Sequence, residues 1–299
     1  MKFAFALLST LVATAALAQI AGVNGSGPQF SKNVIAGGPA ISSAGCSTGG
    51  PGNCVSGAVA WWGFRGYTTA YSGKVLNVCT ALDAACEDES ASGGNLVLGT
   101  VGTACLTSGT CLVKTLYDQS GALACAGGTA CDVTQATAAD QPSFAASVLN
   151  GLPCATFTNS VELETVTGLT QAQPFTFTGI AKNTAGSGAI IGIQFTATFG
   201  FSGSGTGLVA AGANLTATAA GGAFHTMVGV ANGATQSSIT VDGITTTGNA
   251  GSSSPANDKI FIGQESLTGA VCEGGIWPSA FTSTQIANMT NNQNSYWGL

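Results

Sequence analysis

Few side chains in this sequence can move a proton, attack a carbon or hold a metal. Only 7% of the 299 residues are charged, 13 of them Asp or Glu and 7 Lys or Arg, and His225 is the single histidine. Carboxylates are therefore the first groups to weigh, because general acid–base work can run on them. Glu162 and Glu164 alternate, so both fall on one face of a strand, where charge is usually solvated. Glu87-Asp88-Glu89 follow Cys86 in an expected loop. Calcium would need six to eight oxygens there, and a solvated acidic loop is the simpler account. His225, with Phe224 and Met227 in a strand pattern, reads as a hydrogen-bonded structural histidine; a Ser-His-Asp triad would have to use it, and no Gly-x-Ser-x-Gly elbow accompanies it. Gly203-Ser204-Gly205-Thr206-Gly207 lacks the Gly-Lys-Ser/Thr of a phosphate-binding loop. Trp61, Trp62, Tyr117 and Trp277 are rings on which a sugar could stack, although aromatic rings in a sandwich are more often core.

The ten cysteines decide what holds these groups in place. Eight of them fall in close couples, which predicts Cys46–Cys54, Cys79–Cys86, Cys105–Cys111 and Cys125–Cys131, with a long-range Cys154–Cys272 bridge left over. A metal cluster is the weaker reading, because no Cys-x-x-Cys spacing occurs and one histidine is too few. No metal and no cofactor is expected. The chain opens with Lys2, an apolar run to Leu17 and the small-x-small triplet Ala16-Leu17-Ala18, which predicts a signal peptide over residues 1–18. Residues 19–44 are Gly- and Ser-rich and are expected to form a flexible leader, with one domain over 45–299 that is secreted or periplasmic. Disulfides fit that compartment.

The elements that must carry these residues are strands. Phe175-Thr176-Phe177-Thr178 alternates with period two, and Ile239-Thr240-Val241-Asp242-Gly243-Ile244-Thr245 is a strand, an Asp-Gly turn and a second strand. Ile190–Ile193, Leu208–Ala210, Phe224–Val230, Lys259–Gly263 and Gly275–Trp277 supply further strands. With 44 glycines and turn signals between short strands, the pattern predicts an all-β, jelly-roll β-sandwich. Thr282 and Gln285 form a capping box that opens one short C-terminal helix, expected to end near Gln293. The net charge of −6, with no basic stripe, excludes a phosphate backbone as partner, and nothing after the signal would hold the chain in a membrane.

Three stretches resemble a known family. Cys105 through Cys111 and on to Tyr117-Asp118-Gln119-Ser120-Gly121 is similar to the catalytic domain of fungal-type α-L-arabinofuranosidase B, glycoside hydrolase family 54. The segment from Cys46 and Cys54 to Tyr71-Ser72-Gly73 resembles that family's N-terminal disulfide loop, and Ile262 through Gly274 resembles its last strands. The Tyr-Asp-Gln-Ser-Gly run is the most specific piece, and it marks a concanavalin A-like fold better than an activity.

The resemblance implies removal of terminal arabinofuranosyl units from arabinan or arabinoxylan with retention, using two carboxyls about 5–5.5 Å apart. The family's nucleophile is a Glu in a strand that aligns with Val209–Asn214; Ala213 then stands at the nucleophile position and Ala211 at a neighbouring Asp. The family's acid lies in a turn that aligns with Gly263-Gln264-Glu265-Ser266, which makes Glu265 the acid/base candidate. Glu273 matches a Glu in the closing strand, where a structural role competes with catalysis. Asp118, Trp277 and Asn214 are the implied substrate contacts, Asp118 with a turn-capping role as the competing account. Three readings follow: an arabinofuranosidase-like enzyme acting on a polysaccharide or oligosaccharide, a β-sandwich that binds carbohydrate without cleaving it, and an adhesive surface protein.

Overall fold

The computed structural model describes residues 46–109, 111–158, 161–194, 196–203, 205–264 and 266–299. The expected signal at 1–18, the leader at 19–44 and Glu265 lie outside the described residues.

Two antiparallel layers face each other. The first runs, in spatial order, Ile244–Gly248, Ser237–Val241, Phe224–Ala231, Phe175–Ala185, Thr268–Trp277, Leu152–Phe157 and Ser143–Leu149. The second runs Asn214–Thr218, Thr206–Ala210, Ala197–Phe201, Gly188–Ile193, Ile260–Ile262, Leu163–Thr165 and Val133–Thr134. They merge at Cys111–Leu116, which pairs Cys111 with Phe144 of the first layer and Leu116 with Val133 of the second. Ala60–Gly63 lies alongside the closing strand, Trp61 opposite Gly275.

The core sits where the layers meet. Phe175 and Phe177 turn inward while Thr176 and Thr178 turn outward, as their alternation requires. Phe177 stacks on Phe199 of the opposite layer with ring centroids 5.5 Å apart. At Gly229 an added Cβ would meet Phe199 Cδ2 at 2.8 Å, so a glycine there lets the layers approach. The hairpin read from Asp242-Gly243 forms, with Val241 opposite Ile244 and both turn residues at positive φ.

The outward face of the first layer is covered rather than solvated. The helix Ser283–Trp297 opens on the Thr282–Gln285 capping box and lays Met289 against Trp61, Val228, Val230, Trp277 and Phe281. It runs one turn past the expected end at Gln293, because Trp297 is buried and Gly298 caps it in the left-handed region. A second helix, Thr100–Ser108, was not expected from its sequence. Its Thr, Val and Gly content is poor for helix formation, and its N-terminus is held from outside. Glu89 Oε2 accepts from Gly99 N at 2.5 Å, Glu89 Oε1 from Gly102 N at 3.0 Å and Glu87 Oε2 from Val101 N at 2.6 Å. The expected solvated acidic loop is thus overturned: Glu87, Asp88 and Glu89 lie in the strand Cys86–Ser92, and Glu89 is fully buried.

Disulfides join Cys46–Cys54, Cys79–Cys86, Cys105–Cys111, Cys125–Cys131 and Cys154–Cys272. The last closes 118 residues and staples the Leu152–Phe157 strand to the closing strand.

Candidate functional site

A cleft of about 480 Å³ opens on the outward face of the second layer. Three stretches contribute described residues to its wall: Gln194, Thr196 and Thr198 from the first, Ala210 and Asn214 from the second, and Phe261 and Gln264 from the third. Strand alternation turns Thr198 and Phe261 toward the cleft, while Ile193 and Ala197 form its floor from the core. Ile260 and Ile262 enter the core while Phe261 between them does not, and Phe199 enters it while Thr198 faces the cleft. The volume lies within the usual range for small-ligand clefts.

Each wall is fixed by backbone bonds. Gln194 N donates to Lys259 O at 2.9 Å, and Gln264 O accepts from Ala189 N at 2.8 Å. The Gln264 amide lies over Gly192, where a Cβ would come within 2.0 Å of Gln264 Oε1; glycine at 192 makes room for that side chain. The turn before Asn214 is docked through Ala211 N and Ala213 N, which both donate to Ala250 O. Thr196 Oγ1 is bonded to Gln194 O and to Asp258 Oδ2, so the hydroxyl is held in place.

The polar groups of the cleft are neutral. Gln194, Asn214 and Gln264 offer amides, Thr196 and Thr198 hydroxyls, and Phe261 a ring. Among the described residues, no carboxylate, lysine, arginine or histidine lines it. Such a surface can bind hydroxyl groups through paired donors and acceptors, and it contains no described group able to act as nucleophile or acid. Glu265, the acid/base candidate, lies outside the described residues, although its chain neighbour Gln264 is in the wall.

The other sequence-derived candidates are placed elsewhere. Glu273 is buried beneath the C-terminal helix, with its two oxygens on Arg65 Nε at 2.6 Å and Arg65 Nη2 at 2.9 Å. Arg65 also donates to Asn292 Oδ1 at 2.9 Å and lies over the Tyr296 ring, 4.4 Å from its centroid. Burial pushes the Tyr296 hydroxyl up to about 12. Glu273 thus ties layer to helix and faces away from the cleft. The Asp118 carboxylate is turned to the backbone: Oδ1 accepts from Trp61 N and Ser120 N, and Oδ2 from Cys131 N. Trp277 is 1% exposed and donates to Val55 O, so substrate contact at this ring is corrected to core packing. Trp61 and Trp62 are equally buried, while Tyr117 is half-buried and donates to Asp88 Oδ1 at 2.6 Å. Of the implied substrate contacts, Asn214 alone stands in the cleft.

Two of the remaining candidate groups have structural partners. Glu164 pairs with Lys259 at 2.9 Å, and burial together with Glu164 raises the Glu162 carboxyl. His225 Nδ1 lies 2.6 Å from Asp242 Oδ2 and Nε2 lies 2.8 Å from Ala220 O. Both neighbours are acceptors, so the imidazolium alone satisfies both contacts. The Asp242 bond raises the His225 pKa more than burial lowers it.

The same architecture occurs in known glycosidases. An arabinofuranosidase complexed with arabinofuranosyl-α-1,2-xylobiose superposes with TM-score 0.58 at 14% identity, over 80% of this chain and 62% of that one. This chain has a GH54-like β-sandwich fold. A GH54 α-L-arabinofuranosidase soaked with a cyclic sulfate inhibitor gives TM-score 0.56 at 15% identity, over 80% of this chain and 63% of that one. The GH54-like chain therefore spans less than two thirds of the length of these enzymes. No protein-family model and no curated protein matches the sequence.

Gln194, Thr196, Thr198 and Phe261 were not read from the sequence as site residues. Their only advance signal is the alternation that turns them away from the core, and alternation cannot tell a cleft wall from ordinary surface.

Proposed function

We propose that this chain is a secreted or periplasmic carbohydrate-binding domain that holds a neutral, arabinofuranosyl-type unit of an oligosaccharide or polysaccharide in the cleft of its second layer. The observation that carries the reading is the wall itself: amides, hydroxyls and one aromatic ring, with no charged side chain among the described residues. The likeness of its fold to an enzyme complexed with arabinofuranosyl-xylobiose supports the ligand class. The signal-like residues 1–18 and five disulfides support the compartment.

Retaining hydrolysis is the second reading. Glu265 directly follows a wall residue and would act as the acid, and arabinan or arabinoxylan would be the substrate. It needs a second carboxyl about 5–5.5 Å from the first, and the aligned nucleophile position is Ala213.

One pair of measurements separates the two readings. Binding of an arabinofuranosyl-substituted xylo-oligosaccharide is followed by calorimetry, and release of 4-nitrophenol from its α-L-arabinofuranoside is followed by absorbance. Binding without release, with binding lost in Asn214→Ala and Gln264→Ala, is the expected result. Turnover abolished by Glu265→Gln would establish the enzyme instead. Neither binding nor release by folded protein would remove both.

A further inference from the structure

The sequence contains three Asn-x-Ser/Thr triplets, beginning at Asn24, Asn214 and Asn288. Asn24 lies outside the described residues. Asn214-Leu215-Thr216 is presented in the manner an N-glycosylation acceptor requires. It opens the strand Asn214–Thr218, so Asn214 and Thr216 share one face and both are exposed, while Leu215 between them is 8% exposed and points inward. Asn288-Met289-Thr290 differs. It lies inside the helix Ser283–Trp297, where residues two apart do not share a face, and Thr290 is buried.

We propose that Asn214 is an acceptor for N-linked oligosaccharide when the chain passes through a eukaryotic secretory pathway. The co-reactant is a lipid-pyrophosphate-linked oligosaccharide. The Asn214 amide nitrogen forms a bond to C1 of the first sugar, the C1–O bond to pyrophosphate breaks, and the lipid pyrophosphate leaves with that electron pair. The amide proton passes to a base of the transferase, and nothing is oxidised or reduced.

A modification there would cover a vulnerable edge. Among the described residues, Asn214–Thr218 pairs on one side only, with Thr206–Ala210, so it is a sheet edge. Exposed edges recruit other chains unless something covers them, and a surface with only 7% charged residues supplies little of the usual charge protection. An oligosaccharide at Asn214 would stand over both this edge and the mouth of the cleft, so the sugar binding proposed above belongs to the unmodified chain.

The assignment does not depend on what the cleft binds, because its readout is mass. The full chain is secreted from yeast beside a known secreted glycoprotein that reports an active transferase, then deglycosylated by PNGase F in ¹⁸O-water and mapped by mass spectrometry. In the peptide carrying Asn214, that residue is expected to be read as ¹⁸O-labelled aspartate, with higher occupancy than at Asn288, and the label is expected to vanish in Thr216→Ala. An unlabelled Asn214 in folded protein, or higher occupancy at Asn288, would overturn the proposal.

Discussion

Glu273→Gln removes one charge and almost no volume from a site with no solvent. The Glu273 and Arg65 side chains are both 0% exposed, and the two groups meet through paired contacts of 2.6 and 2.9 Å. Taking the carboxylate charge away leaves the guanidinium with neutral acceptors alone, the substituted amide oxygen and Asn292 Oδ1, and the face of Tyr296. Breaking a buried pair from one side costs about 3–5 kcal/mol, because the surviving charge has lost its water and its partner. For a domain of this size that is a fall in Tm of about 6–20 °C. Thermal unfolding with the disulfides intact measures it. The double change Arg65→Met with Glu273→Leu should recover most of the loss, since apolar groups of similar size replace such pairs at little net cost. Sugar binding should be unchanged in every variant that folds, because the cleft lies on the other layer. An unchanged Tm in Glu273→Gln, or a loss of binding without loss of stability, would refute the structural role.

Other perturbations test the remaining supports. The raised pKa of His225 means that its stabilising contribution is complete below about 6.5, the unfolded value, and is lost as pH rises through the higher folded value. Asp242→Asn should flatten that dependence and cost about 1.5 kcal/mol at acidic pH, the low end for a charged hydrogen bond because Asp242 is half exposed. Denaturant melts across pH measure both; a wild-type curve that stays flat from acid to alkali would contradict the imidazolium assignment. Replacing both Cys154 and Cys272 by Ala opens a loop of 118 residues and should cost about 5 kcal/mol by the chain-entropy relation, against about 2.5 for Cys46–Cys54. Equal losses in denaturant melts would show that loop length does not govern stability here. Glu89→Ala leaves the N–H groups of Gly99 and Gly102 unpaired, at about 1–3 kcal/mol. Faster hydrogen exchange should appear first in the Thr100–Ser108 helix, and uniform acceleration over the whole chain would argue against a local cap.

What could be read from the sequence was local. The Asp242-Gly243 hairpin, the Thr282–Gln285 capping box and the alternation around Phe177 each write their structure within a few residues. The sequence was silent where the deciding partner is distant. The structural role weighed for Glu273 finds its partner, Arg65, across 208 positions, and the unexpected Thr100–Ser108 helix takes its caps from a strand ten or more positions earlier. Trp277 reads more readily as a core ring than as a binding ring, and the helix that covers it supplies the packing no local pattern shows. The cleft has no local signature, since its three walls meet only after the second layer is assembled.

All three walls of that cleft belong to one layer, and the layers are fused through Cys111–Leu116. On the proposed binding reading, a ligand would enter a site formed within one layer, and the conformational entropy lost would fall chiefly on the ligand. A receptor preorganised in this way discriminates by shape. It should accept a ring that fits without delay, and refuse a bulkier or differently puckered one outright instead of remoulding around it.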